Sequence, residues 1–141
     1  MRIFVAASYS SKVNYETGEV TSEYRDWLED SLSAIEKSGH IVFCALREDG
    51  YKINHKDPAE AFRLDIANIQ RSDALLALLD TTISSGVQTE VGVAVALKKK
   101  VYLAHLPDND LSYFNTAMLK AGVVQELSLP LNTKKLQQVL V

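Results

Sequence analysis

The chain of 141 residues contains a single cysteine, Cys44, so it has neither a disulfide framework nor a cysteine-based zinc site. It has no excess of positive charge. The formal net charge of −3 leaves no electrostatic footprint for a nucleic-acid polymer or an anionic membrane, although a small anion can still be held by local donors. No apolar run approaches the roughly 20 residues that a membrane-spanning helix needs. The opening run Arg2–Ala7 is too short for the apolar core of a secretory signal and lacks its flanks. These absences lead us to expect a soluble, cytoplasmic protein. His40, His55 and His105 have no metal-ligand spacing, so no metal is expected. No G-x-G-x-x-G follows the first apolar run, which argues against a Rossmann dehydrogenase. That run ends in Ala6-Ala7-Ser8, without the acidic cluster that a phospho-acceptor receiver needs.

What is present is ordinary globular material. With 47% apolar and 23% charged residues, the chain is too hydrophobic to be disordered. Its length predicts one domain over residues 1–141 with a proper core. Short apolar runs alternate with amphipathic stretches, the pattern of a parallel sheet covered by helices.

Strands are predicted over Ile3–Ala7, Ile41–Leu46, Ala74–Leu79, Val101–His105 and Val123–Leu127. The third is continuously apolar, as a central strand buried on both faces must be. Tyr24, Trp27, Leu28, Leu32 and Ile35 recur at helical spacing, with Ser22 as N-cap and Gly39 beyond the end. Asp57-Pro58-Ala59-Glu60 reads as a helix start, and Phe62, Ile66 and Ile69 as that helix's buried stripe. Further helices are predicted over 86–97, 110–120 and 133–140. The loop 8–20 is unusually long for a strand-to-helix connection, which makes it a candidate lid. A second polar loop is expected over 47–56. The expected architecture is an α/β, flavodoxin-like (Rossmann-like) three-layer sandwich. Its five-stranded parallel sheet has order 2-1-3-4-5, helices on both faces, and ligands at the carboxyl ends of the strands near the switch between strands one and three.

Two acidic residues stand out against that frame. Asp65 falls about 40° from Ile69 around a helix, at the edge of the predicted buried stripe, where a carboxylate needs a partner or a task. Its bland reading is a loop cap or an arginine partner. Glu90 follows the loop that leaves the third strand, which places it at the carboxyl edge of the sheet in the first turn of a predicted helix. There the helix dipole would keep it ionised and available as a nucleophile. An ordinary first-turn glutamate is the commoner fate of such a residue. Ser84, Ser85 and Gly86 supply hydroxyls and approachable N–H groups just before it, a reasonable cradle for an oxyanion or phosphate. Gly92, Ala94 and Ala96 keep the helix small for packing on the sheet.

Other polar residues carry blander readings. Cys44 is expected to be a core thiol, Trp27 a core residue and His105 a solvated strand-end histidine. Lys98-Lys99-Lys100 would form a solvated cap on the helix C-terminus. Asp73 is expected to be structural, and Asp80 to line the rim of the site.

The segment Asp65-Ile-Ala-Asn-Ile-Gln-Arg-Ser-Asp73, the apolar run Ala74–Leu79 with Asp80, and Ser84-Ser-Gly-Val-Gln-Thr-Glu90-Val-Gly92 together resemble the nucleoside 2-deoxyribosyltransferase superfamily. The shared order is an Asp, a second Asp eight residues later, an apolar strand, and a Gly-x-x-x-Glu-x-Gly element that carries the nucleophile. The motif covers about thirty contiguous residues, and the βα pattern fits the whole chain.

The resemblance implies that Glu90 attacks the anomeric carbon of a ribosyl or deoxyribosyl group, expels the base and forms a glycosyl-enzyme. Asp65 would orient the nucleophile or handle the proton at the base, and no cofactor is implied. Six residues before the nucleophile the transferases usually carry Asp, whereas this chain has Ser84. Serine there resembles the branch that hydrolyses nucleoside 5′-monophosphates. Asn115-Thr116-Ala117-Met118 is similar to a segment of that branch which reaches into the neighbouring subunit's site, so a homodimer is implied, with Asn115 and Thr116 completing the partner's site. The first loop departs from the family's Gly-Ser turn and offers Ser8, Tyr9 and Ser10 instead. Three readings follow: a monophosphate N-glycosidase, a transferase exchanging nucleobases, and a nucleotide-binding module without chemistry.

Overall fold

In a computed structural model, five short apolar runs pair into one parallel sheet of order β2-β1-β3-β4-β5. The strands are β1 (Arg2–Ala7), β2 (Ile41–Phe43), β3 (Ala74–Leu78), β4 (Lys100–His105) and β5 (Gln125–Ser128). The structure describes residues 1–9, 12–14, 16–52, 57–81 and 83–141. Ser10 and His55 lie outside the described residues, as do parts of the two long polar loops. In register, Ile3 faces Ala74 and Ala74 faces Lys100, so β3 lies at the centre with every residue buried.

Side-chain alternation along the strands divides the interior in two. Ile3, Val5, Leu76 and Tyr102 pack against Leu28, Leu32 and Ile35 of α1 (Ser22–Lys37) and Leu136 of α6 (Thr133–Val139). Phe4, Ala6, Leu75, Ala77 and Leu103 face the other way. They meet Ile69 of α3 (Pro58–Arg71) and Val87, Val91 and Ala94 of α4 (Ser85–Ala96), with Met118 and Leu119 of α5 (Tyr113–Lys120) at the margin. The flavodoxin-like, three-layer expectation is therefore met.

Local chemistry explains most element ends. Asp57 caps α3 by accepting from the Ala59 N–H at 3.2 Å, with Pro58 at the first helical position, where its missing N–H costs nothing. Gly39, just past α1, has φ of +99°, which favours glycine. The cap of α1 is Thr21 rather than Ser22. Thr21 is extended and its hydroxyl accepts from the Tyr24 N–H, which leaves Ser22 as the first helical residue.

β2 stops at Phe43, and the rest of the predicted strand turns into a short helix, α2 (Ala45–Glu48), that begins the expected second loop. An apolar run of this length does not by itself distinguish strand from helix. α5 starts at Tyr113 rather than 110, because Ser112 supplies the cap by accepting from the Asn115 N–H at 3.2 Å. β5 is displaced by two residues, with Val124 buried before it. Of the predicted stripe on α3 only Ile69 is buried. Ile66 is half-buried and Phe62 is 54% exposed, because the helix stands off the sheet edge there and a cavity opens beneath it. Gly92 and Ala96 face outward, so only Ala94 of that small-residue set packs on the sheet.

The described part of the long first loop is fastened down. Val13 and Val20 are buried and bridge one another, the Tyr9 hydroxyl donates to the Lys52 carbonyl at 2.5 Å, and Lys12 pairs with Asp80 at 3.2 Å. Asp73 accepts from the Arg2 N–H at 2.8 Å, the structural role expected of it. Leu97 is the cap of α4. Beyond it, Lys99 and Lys100 donate to the Gln70 and Val141 carbonyls, so they tie chain segments together as well as meeting solvent.

Leu76, fully buried at the middle of β3, has nowhere to collapse into when shortened. Leu76→Ala is expected to lower unfolding stability by about 2–5 kcal/mol, read as a lower denaturation midpoint in urea with unchanged slope.

Candidate active site

α3 and α4 lie side by side on one face of the sheet, and Asp65 and Glu90 face each other across them. Both line a cavity of about 570 Å³ over the carboxyl ends of β1 and β2. Its walls are largely apolar, with Phe4, Phe43, Leu46, Phe62, Leu64 and Ile66 around a few polar groups, the make-up of a small-molecule site.

The two carboxyl groups are hydrogen-bonded to one another. Burial, then the neighbouring Asp65 charge, then this hydrogen bond push the Glu90 carboxyl up to about 8. Glu90 thus holds a proton at neutral pH, contrary to the expectation that the helix dipole would keep it ionised. α4 begins at Ser85, which puts Glu90 in the second turn, beyond the reach of most of the dipole effect. Desolvation and a like charge at hydrogen-bond distance outweigh what remains.

The structure divides the other expected site residues. Ser85, Gly86 and Tyr9 line the cavity that holds Asp65 and Glu90. Ser8, Ser84 and Asn115 line a second cavity of about 290 Å³ between the ends of β3 and β4, with Asp80, Gln88 and His105. Val87 is the wall common to both cavities. The Ser84 hydroxyl caps α4 by accepting from the Val87 N–H at 3.3 Å, which leaves its proton to donate. Asn115 is buried and accepts from the Gln88 amide at 3.1 Å, so its side chain is occupied within its own chain and does not reach outward as expected. Thr116 is half-buried and lines neither cavity.

His105 is 7% exposed. Its Nε2 meets Glu126 at 2.5 Å and its Nδ1 faces the Leu106 carbonyl at 2.7 Å, so the solvated reading is wrong: the neighbouring strand covers the ring. Cys44 is buried as expected, its thiol pushed up to about 11 chiefly by burial. Trp27 is half-buried, stacked on Tyr24 at 5.4 Å.

Sequence reading missed Glu48 and Asp49, which line the first cavity from the end of α2. An acidic pair a few residues beyond the second strand, past the sheet's carboxyl edge, was the available signal. Assigning these residues to a polar loop concealed it.

A parallel α/β sheet with a hydrogen-bonded carboxyl pair in a cleft at its carboxyl edge is the arrangement of an enzyme site able to do acid–base or nucleophilic chemistry. More particularly, the family model for nucleoside 2-deoxyribosyltransferases matches residues 18–132, and the chain belongs to that family, whose members act on nucleosides or nucleotides.

Solved structures with the same fold include the CMP N-glycosidase BcmB of Clostridium botulinum. It is 20% identical over 99% of this chain and 97% of that one, with TM-score 0.68. BlsM is 22% identical over 97% and 85%, with TM-score 0.75. A 2-deoxyribosyltransferase of Bacillus psychrosaccharolyticus is 17% identical over 82% and 79%, with TM-score 0.60. No curated protein matches the chain by sequence.

The Glu90 proton has a consequence for stability. Its folded-state pKa lies above the value of 4.5 usual for glutamate, so the folded protein binds more protons than the unfolded chain between those values. Stability should therefore fall as pH rises from about 4.5 to about 8, by up to roughly 1.4 kcal/mol per pH unit. Urea unfolding at pH 5.5 and 8 should show this slope in the native protein and its near-disappearance in Glu90→Gln.

Proposed function

We propose that the protein cleaves the N-glycosidic bond of nucleoside 5′-monophosphates through a covalent glycosyl-Glu90 intermediate. The observation that carries this reading is the Asp65–Glu90 pair, two carboxyl groups hydrogen-bonded to one another in a largely apolar cleft. That pair can supply both a nucleophile and an acid.

When the shared proton shifts across the hydrogen bond from Glu90 to Asp65, the ionised Glu90 attacks the anomeric carbon. The carbon–nitrogen bond breaks, its electron pair leaves with the base, and Asp65 gives the proton to that base. Water then attacks the same carbon and passes a proton to Asp65, and Glu90 departs as a carboxylate. The pair ends with the single proton it began with. The stereochemistry is retained, as in a two-step glycosidase.

The start of α4 offers the 5′-phosphate backbone N–H groups at Ser85 and Gly86, which line the Glu90 cavity, while Ser84 faces the adjoining cavity. Ser84 in place of the transferases' aspartate, and the likeness in fold to a CMP N-glycosidase, favour hydrolysis of a monophosphate. Exchange of nucleobases uses the same intermediate and differs only in whether a second base excludes water.

Base release should be followed by chromatography from ribo- and deoxyribonucleosides and their 5′-monophosphates. We expect release from monophosphates without an added acceptor, reduced at least about a thousandfold in Glu90→Ala and strongly in Asp65→Asn. Release only when a second base is added would instead favour transfer. The rate constant kcat/KM should fall as pH rises through about 8, where the pair loses its proton. A rise there would mean that the acid is another group.

A homodimer accords with the outer surface. Ser85, Thr89, Gly92 and Ala96 form an exposed, small-residue face on α4. Beside the site Ile83, Tyr113 and Phe114 are 79%, 85% and 72% exposed. Such a patch marks an interaction surface. With Asn115 held inside, Thr116 is the residue of that segment left to reach a partner's site. Light scattering should show a dimer, and Tyr113→Asp with Phe114→Asp should shift it to monomer and lower base release.

A further inference from the structure

Among the described residues, the aromatic side chains that line the large cavity are Phe4, Tyr9, Phe43 and Phe62. The first three have work elsewhere in the fold. Phe4 is buried and packs on Phe43 with ring centroids 5.5 Å apart, and the Arg2 guanidinium lies 5.7 Å from the Phe43 ring. The Tyr9 hydroxyl donates to the Lys52 carbonyl, which fastens the described part of the first loop.

Phe62 has no such task. It belongs to neither core cluster, and among the described residues no ring or cation stacks on it. It is 54% exposed while lining the cavity. Single exposed apolar residues are ordinary on a protein surface. What sets this one apart is its place.

α3 leads into β3 of a parallel sheet, so it runs against the strands and begins at their carboxyl edge. Phe62 precedes Asp65 by three residues, which puts both on one face of the helix with Cβ atoms about 5–6 Å apart. Phe62 is the outer of the two, one turn nearer the start of α3. Asp65 is hydrogen-bonded to Glu90. When Glu90 attacks the anomeric carbon and Asp65 protonates the departing base, that base must lie against Asp65. A ring held there is also within reach of the Phe62 side chain.

Every nucleobase has a π face, and a phenyl ring can bind it without any hydrogen bond. An aliphatic side chain offers contact area but no such face.

We infer that Phe62 is the stacking surface for the nucleobase and holds its ring flat beside Asp65 at the rim of the site. The inference rests on the glycosidase reading for the orientation of the substrate, but concerns binding alone.

The test measures dissociation constants by calorimetry on Glu90→Gln, where turnover is blocked. The ligands are the 5′-monophosphates of cytidine, uridine, adenosine and guanosine, with ribose 5-phosphate as the compound that lacks a base. Adding Phe62→Ala should weaken whichever nucleotides bind by roughly fivefold to a hundredfold and leave ribose 5-phosphate unchanged. Phe62→Leu should lose most of the same affinity, and Phe62→Tyr should keep it. The urea midpoint and the oligomeric state should stay as they were, because the side chain packs in neither core.

Nucleotide affinity unmoved in Phe62→Ala overturns the inference. So does an equal loss for ribose 5-phosphate, a leucine that binds as well as phenylalanine, or a change of oligomeric state in the alanine variant. Binding of none of the nucleotides overturns it outright. Base release from the native protein separates this failure from that of the glycosidase reading. Phe62-dependent binding without release sinks the glycosidase and leaves the stacking surface standing. Release with a KM unmoved by Phe62→Ala sinks the stacking surface and leaves the glycosidase.

Discussion

A strand that is apolar and covered on both faces leaves a chain nowhere to put polar side chains except beyond its ends. β3 imposes that constraint here, with five consecutive residues fully buried and neighbours on both sides. Polar chemistry collects past its carboxyl end, in the cavities either side of α4's first turns. The switch in strand order between β1 and β3 opens the larger of them. The position of the site follows from which residues could not be placed anywhere else.

Within that space the decisive element is a conflict. Two carboxyl groups at hydrogen-bond distance, partly withdrawn from water, cannot both be ionised at low cost, so they hold one proton between them. Such a pair is a poor way to stabilise a fold and a good way to keep a nucleophile and an acid in reach of one bond. The fold tolerates it because the rest of the wall is apolar and well packed, with Val87 and Val91 anchoring α4 to the sheet directly beneath.

Much of this was legible in the sequence. The order of the strands followed from alternation of apolar and amphipathic runs, the start of α3 from Asp57-Pro58, and the family from the Asp65 and Glu90 elements read together with their neighbours. Where reading failed, the physics lay in contacts that linear spacing does not encode. Phe62 keeps helical period with Ile66 and Ile69, yet it lies over a cavity instead of a strand. Glu90 appeared ionised because its distance from the helix start was counted, while Asp65, far off in sequence and adjacent in space, was not part of that count. The strand predicted through Leu46 ran on because its residues were apolar, and the acidic pair behind it was set aside as loop. His105 appeared solvated until β5 supplied Glu126.

The connection between β1 and α1 is held by two forces of different physical character. Val13 and Val20 are fixed by burial, which salt leaves intact or strengthens. Lys12 on Asp80 and Lys52 on Glu19 are ion pairs with side chains partly or largely in water, which salt screens. Each end of the connection therefore carries one fastening that answers to ionic strength and one that answers to temperature. The two can be loosened separately, without a change in sequence.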